Sequence, residues 1–289
     1  MSWTINQLID KAIERFSKEN VFFGHGPADA SEEAEFLVLR ALDYEFDVPV
    51  DFETEIDDAR AHHVLSLIEK RAVEKIPTSY LLNEAWLAGI PFYCDERVLI
   101  PRSYIAELLS EGLEPWVSPE KPVRSILDLC TGSGCLAILA SMVFEGAKVT
   151  GSDISSDALD VAKINVTNYQ LEETVRLVQS DLFENLEGET FDIILSNPPY
   201  VTKVAMDNLP EEYRKEPALG LEAGADGLDI VRRILKDAKS HLNAGGLLIV
   251  EVGDGHEALE AAFPKLPFMW LTTENEEDMV FMLKKEDLV

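Results

Sequence analysis

The chain is poor in the residues that would tie it to a metal, a membrane or nucleic acid. Its 289 residues include 3 cysteines, Cys94, Cys130 and Cys135. An odd set without metal-ligand or redox spacing predicts reduced, mostly buried thiols and no metal site. The five histidines are scattered apart from His62-His63, which falls in a helical stretch and reads as a partly exposed helix face. Cations are scarce: 25 Lys and Arg stand against 54 Asp and Glu, a formal net charge of -29. General nucleic-acid binding is not expected, because phosphate backbones are engaged by clustered Lys and Arg. Acids such as Glu32-Glu33, Asp57-Asp58 and Glu276-Glu277-Asp278 are spread along the whole length, which suits solubility or a salty cytoplasm; attraction of a basic partner stays open beside that. The N-terminal MSWTINQLIDKAIERF mixes charge into its apolar pattern. Neither a signal peptide nor a transmembrane helix is expected, so no membrane association, and the location expected is cytoplasmic. Repeats and low-complexity segments are also missing.

What is present is 46% apolar residues, enough for a sizeable core. From Thr4 to about Val73 they recur at helical spacing: Leu8, Ile9, Ala12, Ile13 and Phe16, then Ala34, Phe36, Leu37 and Leu39, then Val64, Leu65, Leu67 and Ile68. No strand is expected there, and Ser31 in SEEAEFLVLRAL reads as a helix N-cap with acids in the first turn. Pro77, Gly89, Pro91 and Pro101 then punctuate short extended runs in LNEAWLAGIPFYCDERVLI, a hairpin. After SPEKPVRS come ILDLC, KVTGSDI, VRLVQSDL, FDIILSN and LLIVEVG, with helical stretches between several of them. Two closing strands, FMWLTTEN and MVFMLKK, are separated by the acidic turn EEDM. This alternation predicts an α/β fold with helices on both faces of a mostly parallel seven-stranded sheet and an antiparallel hairpin at its end. The division expected is a helical domain over 1–82, a hairpin linker over 83–104 and a nucleoside-binding domain over 105–289.

DLCTGSGCLAI satisfies G-x-G-x-x-G/A through Gly132, Gly134 and Ala137. Taken alone it suits a dinucleotide pyrophosphate at a helix N-terminus. Asp128, just before the glycines, repels a diphosphate and suits the cationic S-adenosylmethionine. Asp153, a helix and a strand later, serves ribose hydroxyls in either cofactor class. Asp181 ends the next strand, where an acid can accept an adenine amino group. A helix cap is the structural alternative for Asp128 and Asp181.

At the end of FDIILS the chain turns into Asn197-Pro198-Pro199-Tyr200. Two prolines give a rigid loop whose carbonyls stay open as acceptors. The Asn197 side-chain oxygen and the Pro198 carbonyl suit the two hydrogens of a planar NH2 group, with Tyr200 stacked on its plane. Holding both N–H groups positions the nitrogen and favours the charge it gains on methylation, with no base needed before attack. A mere strand-terminating turn is the plain alternative.

FYCDERVLIPRS, ILDLCTGSGCLAI, DIILSNPPYV, EEYRKEPALGLEAGADGLDIVRRIL and NVFFGHGPADASEEAEFLVL together span essentially the whole chain. In them it resembles the HemK/Prm group of class I S-adenosylmethionine-dependent methyltransferases. The resemblance implies a Rossmann-like fold, methylation of a side-chain amide of glutamine to N5-methylglutamine, and S-adenosylhomocysteine as the second product. Within the group it looks like the branch acting on the third protein of the large ribosomal subunit. Pro101 and Arg102 match the release-factor branch as well, but Ser103 and Tyr104 stand where that branch usually has proline and acids. The resemblance places Asp128, Cys130, Thr131, Gly132, Ser133, Gly134, Asp153, Ile154, Asp181 and Leu182 around the cofactor, with Arg102. Leu182 stands where relatives can carry an aromatic, so an aliphatic contact with adenine is expected. Asn197 to Tyr200 would meet the glutamine, and the helical domain would help recognise the substrate protein. Release factors, the adenine amino group of a nucleic acid, and a noncatalytic cofactor-binding module are the alternatives.

Overall fold

The structure is a computed structural model and describes residues 3–45, 48–118, 122–273 and 278–288. The apolar period of the N-terminal region yields α1 (Ile5–Lys18), α2 (Ala30–Ala41), α3 (Asp58–Val73) and α4 (Thr78–Leu82). Ile5, Leu8, Phe16, Leu37, Val64 and Ile68 form the core between these helices. Two features differ from expectation. The N-cap of α2 is Asp29, whose carboxylate accepts from the backbone of Ser31 and Glu32, so Ser31 lies inside the first turn. The strands β1 (Trp3–Thr4) and β2 (Glu55–Ile56) pair antiparallel; at two residues each they leave no alternation to read.

By packing, the chain divides into two units. One comprises Met1–Ala85, Cys94–Glu96 and Leu209–Glu216, and the other Trp86–Tyr93, Arg97–Asn208 and Pro217–Val289. The first unit buries a charge network: Arg71, 1% exposed, meets the Glu33 carboxylate and donates to Glu212 at 3.2 Å and the Phe22 carbonyl at 2.8 Å. Buried charges persist only when each has partners, and here each does.

β3 (Ala85–Leu87) and β4 (Ile90–Phe92) form a small sheet that, from Trp86 on, belongs to the second unit. Ala88 and Gly89 between them both take positive φ, the turn that matches strand twist. Then follow α5 (Ile105–Ser110), β5 (Ser125–Leu129), α6 (Cys135–Val143), β6 (Lys148–Asp153), α7 (Ser156–Asn168), β7 (Val175–Gln179) and β8 (Phe191–Ser196). The chain continues through α8 (Lys203–Asn208), α9 (Asp229–Asp237), β9 (Leu242–Glu251), α10 (His256–Ala262), β10 (Met269–Leu271) and β11 (Val280–Lys284). The large sheet runs β10-β11-β9-β8-β5-β6-β7, with β11 antiparallel to both neighbours. The other pairings are parallel. That is the expected seven-stranded sheet. Strand periodicity sends Ile126, Ile193 and Ile249 to one core and Leu127, Ile194 and Leu248 to the other. α5 and α6 cover the first face, and α9 with α10 the second.

β9 begins earlier than its apolar run, at Leu242, with a register irregularity before Leu247. Part of the acidic turn, Glu276-Glu277, lies outside the described residues, as does 119–121 of the SPEKPVRS connection. Among the described residues no helix is long and apolar enough to cross a membrane.

Candidate active site

Strand order reverses direction around β5, so the crevice beyond the carboxyl ends of β5, β6 and β8 is where a ligand belongs. A cavity of about 330 Å³ opens there. Cys130, Gly132, Asp153, Ile154, Asp181 and Leu182 line it, and so do Asn197 and Pro199. Two others, of about 450 and 490 Å³, lie elsewhere; the first holds none of the nominated residues and the second shares only Asp181 and Leu182.

The glycine turn is set by backbone shape. Cys130 at φ 59 and Gly132 at φ 54 carry the chain through left-handed conformations into α6, whose N-cap is Gly134 at φ 80. A Cβ on Gly134 would lie 3.2 Å from the Ala162 Cβ of α7, a tight approach that together with the positive φ favours glycine. A Cβ on Gly132 would meet no atom within 4 Å, which is open space on the cavity side.

Asp128 ends up 1% exposed under this turn. Its Oδ2 accepts from the Thr131 hydroxyl at 2.5 Å and from the Ala137 N–H of α6 at 3.0 Å. The capping alternative is thus partly realised. Its Oδ1, however, is buried without a partner. Burial pushes the carboxyl up to about 7, against the pull of the Thr131 and Ala137 bonds. An orphaned buried acceptor is costly unless a donor arrives, and a cationic donor suits it best. Open space over Gly132 fits the body of S-adenosylmethionine, and the orphaned oxygen beneath the turn is the chemical match for its ammonium.

Asp153 accepts from the Gly132 N–H and the Ser155 N–H, both at 2.9 Å, with the Ile154 backbone also bearing on it, and keeps some acceptor capacity among its carboxylate lone pairs. Burial raises its carboxyl too. Asp181 pairs with the Arg233 guanidinium at 2.8 Å and makes no helix cap among the described residues. Leu182, at φ 50, presents an aliphatic wall to the cavity.

At the corner, Asn197 donates its side-chain N–H to the Arg102 carbonyl at 3.0 Å. That bond fixes the amide and leaves its oxygen as acceptor. Ser196 donates to the Leu129 carbonyl at 3.0 Å, tying β8 to β5 directly below. Val201 is held on both sides by Leu221 and Ala223 backbone, at 2.8 and 2.9 Å. Tyr200 is pinned: its hydroxyl donates to Glu251 at 3.2 Å, and the backbones of Gly227 and Gly253 crowd its carbonyl and ring so closely that a Cβ would lie within 2.4 and 2.7 Å.

The structure therefore gathers eight of the nominated residues around one cavity and sets others behind it. Asp128, Thr131, Ser133 and Gly134 form its support; the Ser133 carbonyl accepts from Asn165 at 2.9 Å. Pro198 is buried and Tyr200 half-buried beside it. Arg102 is not on the cavity wall; its carbonyl serves Asn197, and its charge acts on Tyr200 and Glu251. Sequence reasoning missed Glu251, Arg233 and Gly151, where a Cβ would lie 2.8 Å from the Thr131 hydroxyl. Only Glu251 gave a signal, as the one charge inside LLIVEVG.

The family model described as the methyltransferase small domain matches residues 107–212. Proteins named ribosomal protein uL3 glutamine methyltransferase are similar over nearly the full length. That of Neisseria meningitidis serogroup B is 48% identical over 287 residues, 99% of this chain and 94% of that one. That of Bordetella pertussis is 47% identical over 290 residues, covering 99% and 96%. Among solved structures, the hMettl16 catalytic domain in complex with MAT2A 3'UTR hairpin 6 matches at TM-score 0.55 and 14% identity, covering 88% of this chain and 93% of that one. That likeness is one of fold.

Proposed function

The chain belongs to the ribosomal protein uL3 glutamine methyltransferases, and on that premise we propose that it methylates a glutamine side-chain amide of uL3, in the cytoplasm, with S-adenosylmethionine as donor. The observation that carries the reading is that Asn197 and Pro199 line the same cavity as Gly132, Asp153 and Asp181. Methyl donor and amide acceptor are thereby served by one crevice.

When bound, S-adenosylmethionine would supply an electrophilic methyl group from its sulfonium, the S–CH3 bond giving way to the new N–CH3 bond and the thioether leaving as S-adenosylhomocysteine. Asp128 offers its unpartnered oxygen to the ammonium, Asp153 its remaining lone pairs to the ribose hydroxyls, and Asp181 its second oxygen to the adenine amino group. Leu182 packs on the adenine. The Asn197 oxygen and the Pro198 carbonyl take one amide hydrogen each from the substrate glutamine, and Tyr200 stacks on the amide plane. Those acceptors aim the nitrogen and favour the positive charge it gains as its new bond forms; the proton departs to water afterwards. The helical unit contributes to recognising the substrate protein.

The test incubates the purified enzyme with labelled S-adenosylmethionine and either unmodified uL3 or an unmodified release factor. Mass spectrometry is expected to find one methyl on a uL3 glutamine. A methyl on the release factor alone, or on neither with cofactor-bound enzyme present, overturns the reading.

A further inference from the structure

Glu251 is the last residue of β9 and 2% exposed. A carboxylate there must be compensated, and both of its oxygens are used. Oε2 accepts from the Ser103 hydroxyl at 2.6 Å and from the Tyr104 N–H at 3.0 Å. Oε1 accepts from the Tyr200 hydroxyl at 3.2 Å. One residue before Ser103, the Arg102 carbonyl takes the Asn197 side-chain N–H. Asn197 and Tyr200, the two ends of the corner, are thus both referred to the single segment Arg102–Tyr104. The first is bound to it directly and the second through Glu251.

From this arrangement we propose that Glu251 is the positioning residue of the corner: it holds the Tyr200 ring and the Arg102 carbonyl in register, so that the Asn197 oxygen and the Tyr200 face meet the same amide. The inference rests on the glutamine-methylating reading above and adds to it a residue that reaches the reacting amide only through others. Two further facts support it. The three bonds join segments 51 to 148 residues apart, so no local turn supplies the same register. The Gly253 backbone is close enough to the Tyr200 ring that the ring has no room to recentre by itself. The charged groups that bear on the Glu251 carboxylate are few: burial raises it, and Arg102, with the Ser103, Tyr104 and Tyr200 donors, lowers it.

The roles are separable by experiment. Glu251→Ala removes all three bonds, whereas Glu251→Gln can keep its carbonyl on Ser103 and Tyr104 and turn its amide to the Tyr200 oxygen. For Glu251→Ala, kcat on unmodified uL3 is expected to fall about 100-fold, while the Kd for S-adenosylhomocysteine stays within about twofold of the wild type. Glu251→Gln is expected to recover most of the loss. The losses of Glu251→Ala and Tyr200→Phe are expected to combine less than additively in the double variant, because they remove one shared bond. Amide exchange adds a readout that needs no turnover: Val201, whose backbone bonds go to Leu221 and Ala223 rather than to Glu251, should lose protection in Glu251→Ala while the interior of β9 keeps its own. A folded Glu251→Ala protein with near wild-type kcat, additive losses in the double variant, or unchanged Val201 exchange would each overturn the proposal. Failure of wild-type enzyme to methylate uL3 would instead strike the reading beneath it, and the exchange result would still decide the positioning.

Discussion

The proposed cofactor cradle and the proposed amide corner border one cavity, but they are held in different ways. In the cradle, Asp128 bonds residues 3 and 9 positions on, and Asp153 bonds residues 2 positions on and 21 back. In the corner the bonds span 95, 148 and 51 positions. A site closed by short bonds takes shape with its own turn, whereas one closed by distant segments exists only once the ends of β8 and β9 and the Arg102–Tyr104 segment have come together. Damage to the cradle should therefore read out as ligand affinity, and damage to the corner as rate.

The sharpest break of the corner is Asn197→Ala, which removes both the acceptor and the bond to Arg102. The expected loss in kcat is about 100- to 1,000-fold, with the Kd for S-adenosylhomocysteine largely kept; steady-state kinetics and calorimetry check it, and an unchanged kcat would remove the residue from the chemistry. Next comes Asp128→Asn, which breaks only the cradle. Losing the charge under the turn is expected to weaken S-adenosylmethionine binding about 100-fold, leaving Val201 amide exchange as in the wild type. Loss of Val201 protection there would erase the distinction between the two regions. Gly253→Ala is milder: it places a Cβ 2.7 Å from the Tyr200 ring at φ +51. The ring must shift, and kcat is expected to fall about tenfold with cofactor affinity unchanged.

The same contrast explains what was readable before the structure. The five parallel strands announce themselves as short apolar runs, and Asp128, Gly132, Gly134 and Asp153 stand at spacings that a strand, turn and helix impose. Asn197 to Tyr200 were readable as a corner because this Pro-Pro follows an apolar strand at the carboxyl edge of a sheet that already carries a nucleoside motif. Glu251 was not, since only the neighbouring strands reveal that its oxygens face Ser103 and Tyr200. The pairing of Asp181 with Arg233 hid for the same reason, as did the membership of Leu209–Glu216 in the helical unit. Asp29 was passed over as a cap because Ser31 stands nearer the apolar run. Gly245-Gly246 masked the start of β9, where the register shifts before the apolar residues begin.

The cradle can also be probed without any substitution. The Asp128 carboxyl titrates near 7 in the ligand-free protein, against an ordinary value of 3.8, because burial disfavours its charge. Between those values the folded protein keeps a proton that the unfolded chain has released. The stability this group lends is therefore complete below about pH 4 and lost as pH rises through about 7. Asp153, also raised by burial, adds in the same direction. Binding runs the other way, since a cationic ligand takes the ionised form. Affinity for S-adenosylmethionine should rise by up to about tenfold per pH unit below 7, with proton uptake by the buffer on binding, and turn over at about pH 8, where the ligand's own ammonium begins to lose its proton. Calorimetry in buffers of different ionisation heat, from about pH 5.5 to about 8.5, reads the affinity, and thermal unfolding of the ligand-free protein reads the stability. Opposite slopes in the two series, both flattened in Asp128→Asn, are the expected result. A cofactor affinity indifferent to pH would mean that the unpartnered oxygen of Asp128 does not meet the ammonium, and the cradle would have to be rebuilt around Asp153 alone.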